Sequence, residues 1–208
     1  MNTVKRNYSN ELEQIFKTID TEKPPSLLLH ACCAPCSSYV LEYLADFFRI
    51  TVLFYNPNIS SFDEYKKRKN ELKKFLAEFS QKDGIQIFDV DYGNTEFERE
   101  IFGFENEPEG GTRCLKCYQL RLLKTAEIAK DDKFDYFTTT LSISPMKNSK
   151  ILNEIGEELA EKFEISHLPS DFKKKEGYKR SIELSKIYNL YRQNYCGCKY
   201  SQNQNVDM

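Results

Sequence analysis

The stretch Leu27–Leu44, LLLHACCAPCSSYVLEYL, decides the fold. Its apolar run Leu27–Leu29 reads as a buried strand that ends at His30. The chain then enters Cys32, Cys33, Ala34, Pro35 and Cys36. Ser37 and Ser38 lead on into Val40, Leu41, Leu44 and Phe48, which are spaced like the buried face of a helix. Three thiols therefore fall on a strand-to-helix turn. Such turns, at the carboxyl ends of strands, hold ligands in open α/β sheets. Backbone N–H groups and the helix dipole there favour thiolates, the form that binds metal or attacks.

Strands and helices alternate outward from this stretch. Ile50–Tyr55, Ile85–Val90, Phe134–Leu141 and Phe163–His167 read as further strands. Phe62–Phe79, Asn94–Phe102, Arg113–Lys130 and Asn148–Phe163 read as helices, and Gly103–Thr112 as an acidic exposed loop. This order predicts an α/β fold with a parallel, doubly wound sheet. Residues 1–24 read as an N-terminal helical arm with Leu12, Phe16 and Ile19 on one side, and 25–168 as the α/β core. Residues 169–208 read as a C-terminal lobe, with a helix over Arg180–Tyr188 and an irregular Leu190–Ser201, that brings Cys196 and Cys198 to the first cysteines.

The 208 residues are 40% hydrophobic and 30% charged, which fits a soluble globular chain with a real core. No run approaches a membrane span, and the N-terminus lacks the apolar stretch of a signal peptide. The expected location is the cytoplasm, with no membrane partner, and structural disulfides are rare there. Seven cysteines, odd in number and clustered, point to metal or redox chemistry that is independent of disulfides.

The cysteines form three groups: Cys32-Cys33-x-x-Cys36, Cys114-x-x-Cys117 and Cys196-Gly197-Cys198. The C-x-x-C at a helix start puts both sulfurs on one face, within reach of a single metal or cluster. Four thiolates complete a structural zinc or an iron–sulfur cluster, so seven exceed one site. The count suggests a four-thiolate site beside a second metal with three thiolates and an open position. Two other readings stand beside this one. Cys33-Ala34-Pro35-Cys36 resembles a thioredoxin-type thiol–disulfide oxidoreductase, and a zinc-stabilised RNA-binding module would use the thiols for structure alone.

Net charge is −2, but it is unevenly spread. Asp89–Glu109 carries eight acids and one base, Arg99; Lys173–Lys199 carries eight bases against Glu176 and Glu183. In the latter stretch Tyr178, Tyr191 and Tyr195 alternate with Lys179, Arg180 and Arg192, behind the run Lys173, Lys174, Lys175. Cations track phosphates and rings stack on unpaired bases, so this stretch is the candidate RNA-binding surface. His30, at the end of the first strand, is a candidate for orienting the site, and Asp171 and Tyr118 are further polar candidates. No phosphate-binding glycine motif is present.

In order along the chain stand LLLHACCAPCSS, FYNPNI with EYKKR, GGTRCLKCYQLRL, TTTLSISPMKN, DFKKKEGYKRS and YRQNYCGCKYS. Together these motifs resemble the cobalamin-independent epoxyqueuosine reductases of the QueH type, from about Leu27 to Ser201. The resemblance implies a Rossmann-like open sheet akin to adenine-nucleotide hydrolases. It implies reduction of the epoxide of epoxyqueuosine, at the wobble position of a tRNA anticodon stem-loop, to the alkene of queuosine. It also implies a [4Fe-4S] cluster with an additional mononuclear iron, no cobalamin, and an external electron donor such as ferredoxin or flavodoxin. On that basis the expected partition puts Cys32, Cys114, Cys117 and one of Cys196 and Cys198 on the cluster. Cys33, Cys36 and the other of that pair take the extra iron, and Cys32 points away from its neighbour. Protons come from water, Tyr118, His30 or Asp171. The family carries Asp or Cys where this chain has Cys36; both are anionic ligands, the thiolate being softer.

Overall fold

The structure is a computed structural model that describes residues 6–79 and 85–202. The first five residues of the expected arm and residues 203–208 of the expected lobe lie outside the described residues. Five parallel strands form one sheet: β1 (Ser26–His30), β2 (Arg49–Leu53), β3 (Gln86–Phe88), β4 (Tyr136–Thr139) and β5 (Ser166–His167), in the order β3-β2-β1-β4-β5. The chain moves one way from β1 to β3 and the other way from β4 to β5. The switch point therefore lies between β1 and β4, paired as Leu28↔Phe137 and His30↔Thr139.

Helices cover both faces, so the central strand β1 carries the unbroken apolar run Leu27–Leu29, buried on both sides. Leu27 and Leu29 of β1 point into one core layer with Val40, Leu41 and Leu44 of α2 (Ala34–Leu44), Leu72 and Phe75 of α3 (Phe62–Glu78), and Leu184 of α7 (Gly177–Ile187). Leu28 points into the other, with Leu122 and Ala126 of α5 (Thr112–Asp131) and Leu152 and Ile155 of α6 (Ser149–Phe163). The remaining helices are short: α1 (Tyr8–Phe16), α4 (Asn94–Glu100) and α8 (Lys199–Gln202). Helix α7 lies against α2, which brings the C-terminal segment onto the β1 side of the site.

Several boundaries differ from expectation for local reasons. Helix α2 begins at Ala34, ahead of the serines, because extended Cys33 is its N-cap: the Cys33 sulfur accepts the Cys36 N–H at 3.4 Å. Pro35 suits the first turn, and the Ser37 and Ser38 hydroxyls donate to the carbonyls of Cys33 and Pro35. Strand β4 stops at Thr139, whose Oγ1 accepts the Leu141 N–H and starts a 3-10 turn over Thr140–Ile143. Helix α6 runs to Phe163 and leaves through left-handed Glu164, so β5 keeps only two residues. Helix α1 ends at Phe16, and Ile19 packs from outside it.

Gly156 of α6 lies close against the His167 side chain of β5. A Cβ there would stand 2.3 Å from Nε2 of His167, whose ring also packs on Phe137. Alanine ordinarily helps a helix by about 1 kcal/mol over glycine, but overpacking costs about 1–3 kcal/mol. We therefore expect Gly156→Ala to lower the urea midpoint and the double variant Gly156→Ala/His167→Ala to recover part of the loss. A midpoint raised by Gly156→Ala alone would contradict this packing.

Candidate metal centre and its pocket

Sulfur lines the floor of the switch-point crevice. Cys32, Cys33 and Cys36 lie together, their sulfurs all within 4.8 Å of one another and those of Cys32 and Cys33 3.8 Å apart. The expectation that Cys32 points away from Cys33 is overturned. Side chains alternate only along a strand, and β1 has ended at His30, so the bend at Cys32 turns both sulfurs the same way. From the other side of the switch point, the Thr140 hydroxyl donates to the Cys32 sulfur at 3.4 Å and accepts the Cys32 N–H at 3.2 Å.

The other four thiols converge from α5 and the C-terminal turn. The Cys114 sulfur accepts the Gly110 N–H at 3.3 Å. Cys117 and Cys198 are buried together with Phe97 of α4 and Ile101 just beyond its end. Cys196 and Cys198 reach this place because the turn between them is clamped. Arg68 of α3 donates to the carbonyls of Cys196 (3.1 Å) and Tyr195 (3.5 Å), and Ser60 donates its N–H to the Gly197 carbonyl at 3.1 Å. Gly197 has φ +112°, and a Cβ on it would press Ile59 at 3.0 Å and Arg68 at 3.1 Å; glycine meets both demands. All seven cysteines are free thiols.

A cavity of about 410 Å³ opens onto this sulfur surface. Cys32, Cys33, Cys36 and Cys196 line it, whereas Cys114, Cys117 and Cys198 do not. Four cations, Arg68, Arg121, Lys147 and Arg192, line it as well, with one acid, Glu109. Buried Arg121 donates through Nε to His30 Nε2 (3.2 Å), through Nη2 to Asn56 Oδ1 (2.5 Å) and through Nη1 to the Cys117 sulfur (3.9 Å). Among the described residues no carboxylate pairs with it, so its charge faces thiols. Lys147 reaches it from the loop after β4.

These charges shape the thiols. Cys32 is held well below the usual thiol range, first by hydrogen bonds from Cys33 and Cys36 and then, against burial, by Arg121 and Thr140. Cys196 is held low by a hydrogen bond from Cys198 and by the charges of Lys147 and Arg121. Their partners move up, Cys33 to about 12 beside Cys32 and Cys198 beside Cys196, while burial raises Cys117 to about 11. The preferred thiolate of the first group is thus Cys32, outside the Cys33/Cys36 pair. A dithiol oxidoreductase needs a low-pKa thiol inside that pair, and both of its members are pushed up.

The other candidates fall in several places. Arg192 and Tyr195 line the cavity. Tyr118 is buried, keeps its phenolic proton through desolvation, and is an electrostatic neighbour of Lys147. Asp171 lies outside the cavity lining and pairs with Lys173 Nζ at 2.7 Å. That Nζ also donates to the carbonyls of Ser142 (3.3 Å) and Lys147 (3.5 Å). The basic stretch is largely neutralised: Lys175 pairs with Glu13, Lys179 with Glu176 at 3.5 Å, and Arg180 with Glu42 at 2.7 Å. Lys174 is exposed, and Tyr191 bonds Glu64 and Glu71 on α3. Sequence reasoning missed Arg121, Lys147 and Arg68. Arg121 carried a signal, standing one helical turn after Cys117. Lys147 and Arg68 are recognisable only once the loops are folded together.

The family model described as "Epoxyqueuosine reductase QueH" matches residues 27–204. A protein of that name from Streptococcus pyogenes serotype M1 is 46% identical over 208 residues, covering 98% of this chain and 82% of the relative. One from Staphylococcus epidermidis is 39% identical, covering 100% and 90%. One from Thermotoga maritima is 35% identical, covering 85% and 90%.

His30 yields a pH prediction. Its Nδ1 pairs with Thr139 Oγ1 at 2.8 Å, and its Nε2 faces the Tyr55 carbonyl at 3.0 Å as well as Arg121. Full burial, and then the charge of Arg121, push its pKa down to about 3. The unfolded imidazole protonates near 6.5, so from there down to about 3 the unfolded state binds a proton that the folded state refuses. Stability is complete above about pH 6.5 and is lost as pH falls. Between about pH 7 and 5 the wild type should lose about 2 kcal/mol more than His30→Gln in urea denaturation. Parallel losses would mean that His30 is protonated in the folded protein.

Proposed function

The chain belongs to the epoxyqueuosine reductase QueH family, and on that footing we propose the following chemistry for its site. The protein reduces the epoxide of epoxyqueuosine at the wobble position of tRNA. Both C–O bonds of the epoxide break, a C=C bond forms, two electrons and two protons enter, and water leaves. The observation that carries this reading is the pocket walled by four of seven gathered free thiols, two of them favoured as thiolates.

The donor set fits iron–sulfur chemistry: all soft anionic ligands and more of them than one metal needs. Cys32, Cys33 and Cys36 would serve on the pocket side, and Cys114, Cys117 and Cys198 behind. Cys196 lines the pocket and is an electrostatic neighbour of Cys32, Cys114 and Cys117. When bound, a [4Fe-4S] cluster with an adjacent iron supplies single electrons and a Lewis acid for the epoxide oxygen.

The chain's own groups do the rest. Arg121 offsets the negative charge of sulfur, and His30 orients Arg121 from β1. Lys147 lines the pocket as an ammonium, its charge held by Cys196 and Cys32 against burial; its Nζ proton is the one we assign to the departing oxygen. Asp171 acts as a positioning residue: with Lys173 it fastens the Ser142–Lys147 loop that delivers this ammonium. Electrons reach the site from an external donor such as ferredoxin or flavodoxin. Among the described residues no helix is long and apolar enough to cross a membrane.

Turnover tests the reading. Anaerobically reconstituted protein with a chemical reductant should convert an anticodon stem-loop carrying epoxyqueuosine to a product lighter by one oxygen. Lys147→Met should lower kcat by about a hundredfold with little change in KM, the usual scale of a lost general acid. Cys36→Asp should retain the chromophore and part of the activity, since a carboxylate still supplies an anionic ligand. Full activity in Lys147→Met would remove the ammonium from the mechanism, and a colourless Cys36→Asp would make that thiolate indispensable to the cluster.

A further inference from the structure

The cavity is graded from inside to outside. Its floor is thiols, Arg121, Leu141 and Ile143, all buried or half-buried; its mouth holds Pro145, Met146, Tyr178, Arg192 and Asn194, all exposed. Large apolar side chains are seldom left in water without use when they gather. Met146 is 70% exposed and Tyr178 37%, and they rise from opposite elements, the loop after β4 and the first turn of α7. Arg192 stands over the Tyr178 ring at 6.0 Å, within cation–π range. It is held there by Nη1, which donates to Ser185 Oγ at 3.0 Å and to the Ser181 carbonyl at 3.4 Å. No acid pairs with Arg192 among the described residues, whereas Lys173, Lys175, Lys179 and Arg180 all have carboxylate partners.

Size completes the argument. A cavity of about 410 Å³ lies in the range of single small-ligand pockets. It admits one modified nucleoside and leaves the neighbouring nucleotides of the loop at the mouth. Unpaired bases splayed from a loop are met by aromatic and guanidinium planes. We propose that Tyr178, Arg192 and Met146 form a stacking platform for the unmodified nucleotide adjacent to the wobble position, and that this platform, more than the lysine run Lys173–Lys175, selects an anticodon loop. The proposal rests on the reductase reading of the thiol pocket and deepens it. The Tyr178 ring presents the stacking face, Arg192 stiffens the ring and offers its remaining N–H groups to the adjoining phosphate, and Met146 closes the opposite side.

The test uses metal-loaded protein and an anticodon stem-loop carrying epoxyqueuosine at the wobble position and 2-aminopurine beside it. Stacking quenches the fluorophore, and product mass reports reduction. Wild type and Tyr178→Phe should quench on binding. Tyr178→Ala should lose the quenching and raise KM about tenfold, the scale of one base–aromatic stack, with the loss falling on KM rather than kcat. Arg192→Lys should raise KM too, because a lysine keeps the charge but not the planar fork. Reduction by wild type with quenching and KM unchanged in Tyr178→Ala overturns the platform and leaves the reductase reading standing. Quenching that depends on Tyr178 without reduction by the wild type supports the platform and overturns the reductase reading. A wild type that neither binds nor reduces the stem-loop overturns both.

Discussion

The Arg121 guanidinium, buried with no carboxylate partner among the described residues, is the constraint on which this structure turns. Placing the Arg121 charge out of water costs several kcal/mol unless an anion faces it. The anions available are the Cys32 and Cys196 sulfurs, its electrostatic neighbours, with the Cys117 thiol at 3.9 Å. The cation and the thiols therefore stabilise each other's charged forms, and neither belongs in a core alone. A bound cationic metal would join this balance, and bound metal contributes folding free energy as well as chemistry. The clamp of Arg68 on the Cys196–Gly197 turn serves the same end, since it holds the last thiols where the charge of Arg121 lies.

Topology explains why three remote segments can meet. In a doubly wound sheet the chain leaves β1 and β4 in opposite directions, and a crevice opens between their carboxyl ends. Cys32 follows β1 and Thr140 follows β4, so the two ends are joined by the Cys32–Thr140 hydrogen bonds. Helix α5 presents Cys114 and Cys117 from one face of the sheet. The C-terminal segment, docked through α7 on α2, returns Cys196 and Cys198 from the other.

Much of this was legible in the residues. The β1 run, the alternation of strands and helices and the three cysteine groups announce themselves through local periodicity and spacing. What was not legible depends on backbone detail or on long-range contacts. Helix α2 starts early because a cysteine sulfur can cap a helix, a role usually read from Ser, Thr, Asp or Asn. Cys32 turns toward Cys33 because strand alternation lapses one residue beyond β1. The basic stretch looked like a phosphate track, but Glu13 and Glu42, which neutralise two of its members, lie more than a hundred residues away. Lys147 is unremarkable in SPMKN until the Asp171–Lys173 pair folds that loop onto the thiols.

We propose that these seven thiols, with the Cys32, Cys33 and Cys36 group at their centre, form a metal centre at the switch point. Metal and acid-labile sulfide content of anaerobically prepared protein tests it most directly. A brown protein with about five irons and about four sulfides per chain is expected. Stoichiometric zinc with no sulfide, persisting after anaerobic reconstitution with iron and sulfide, would contradict it.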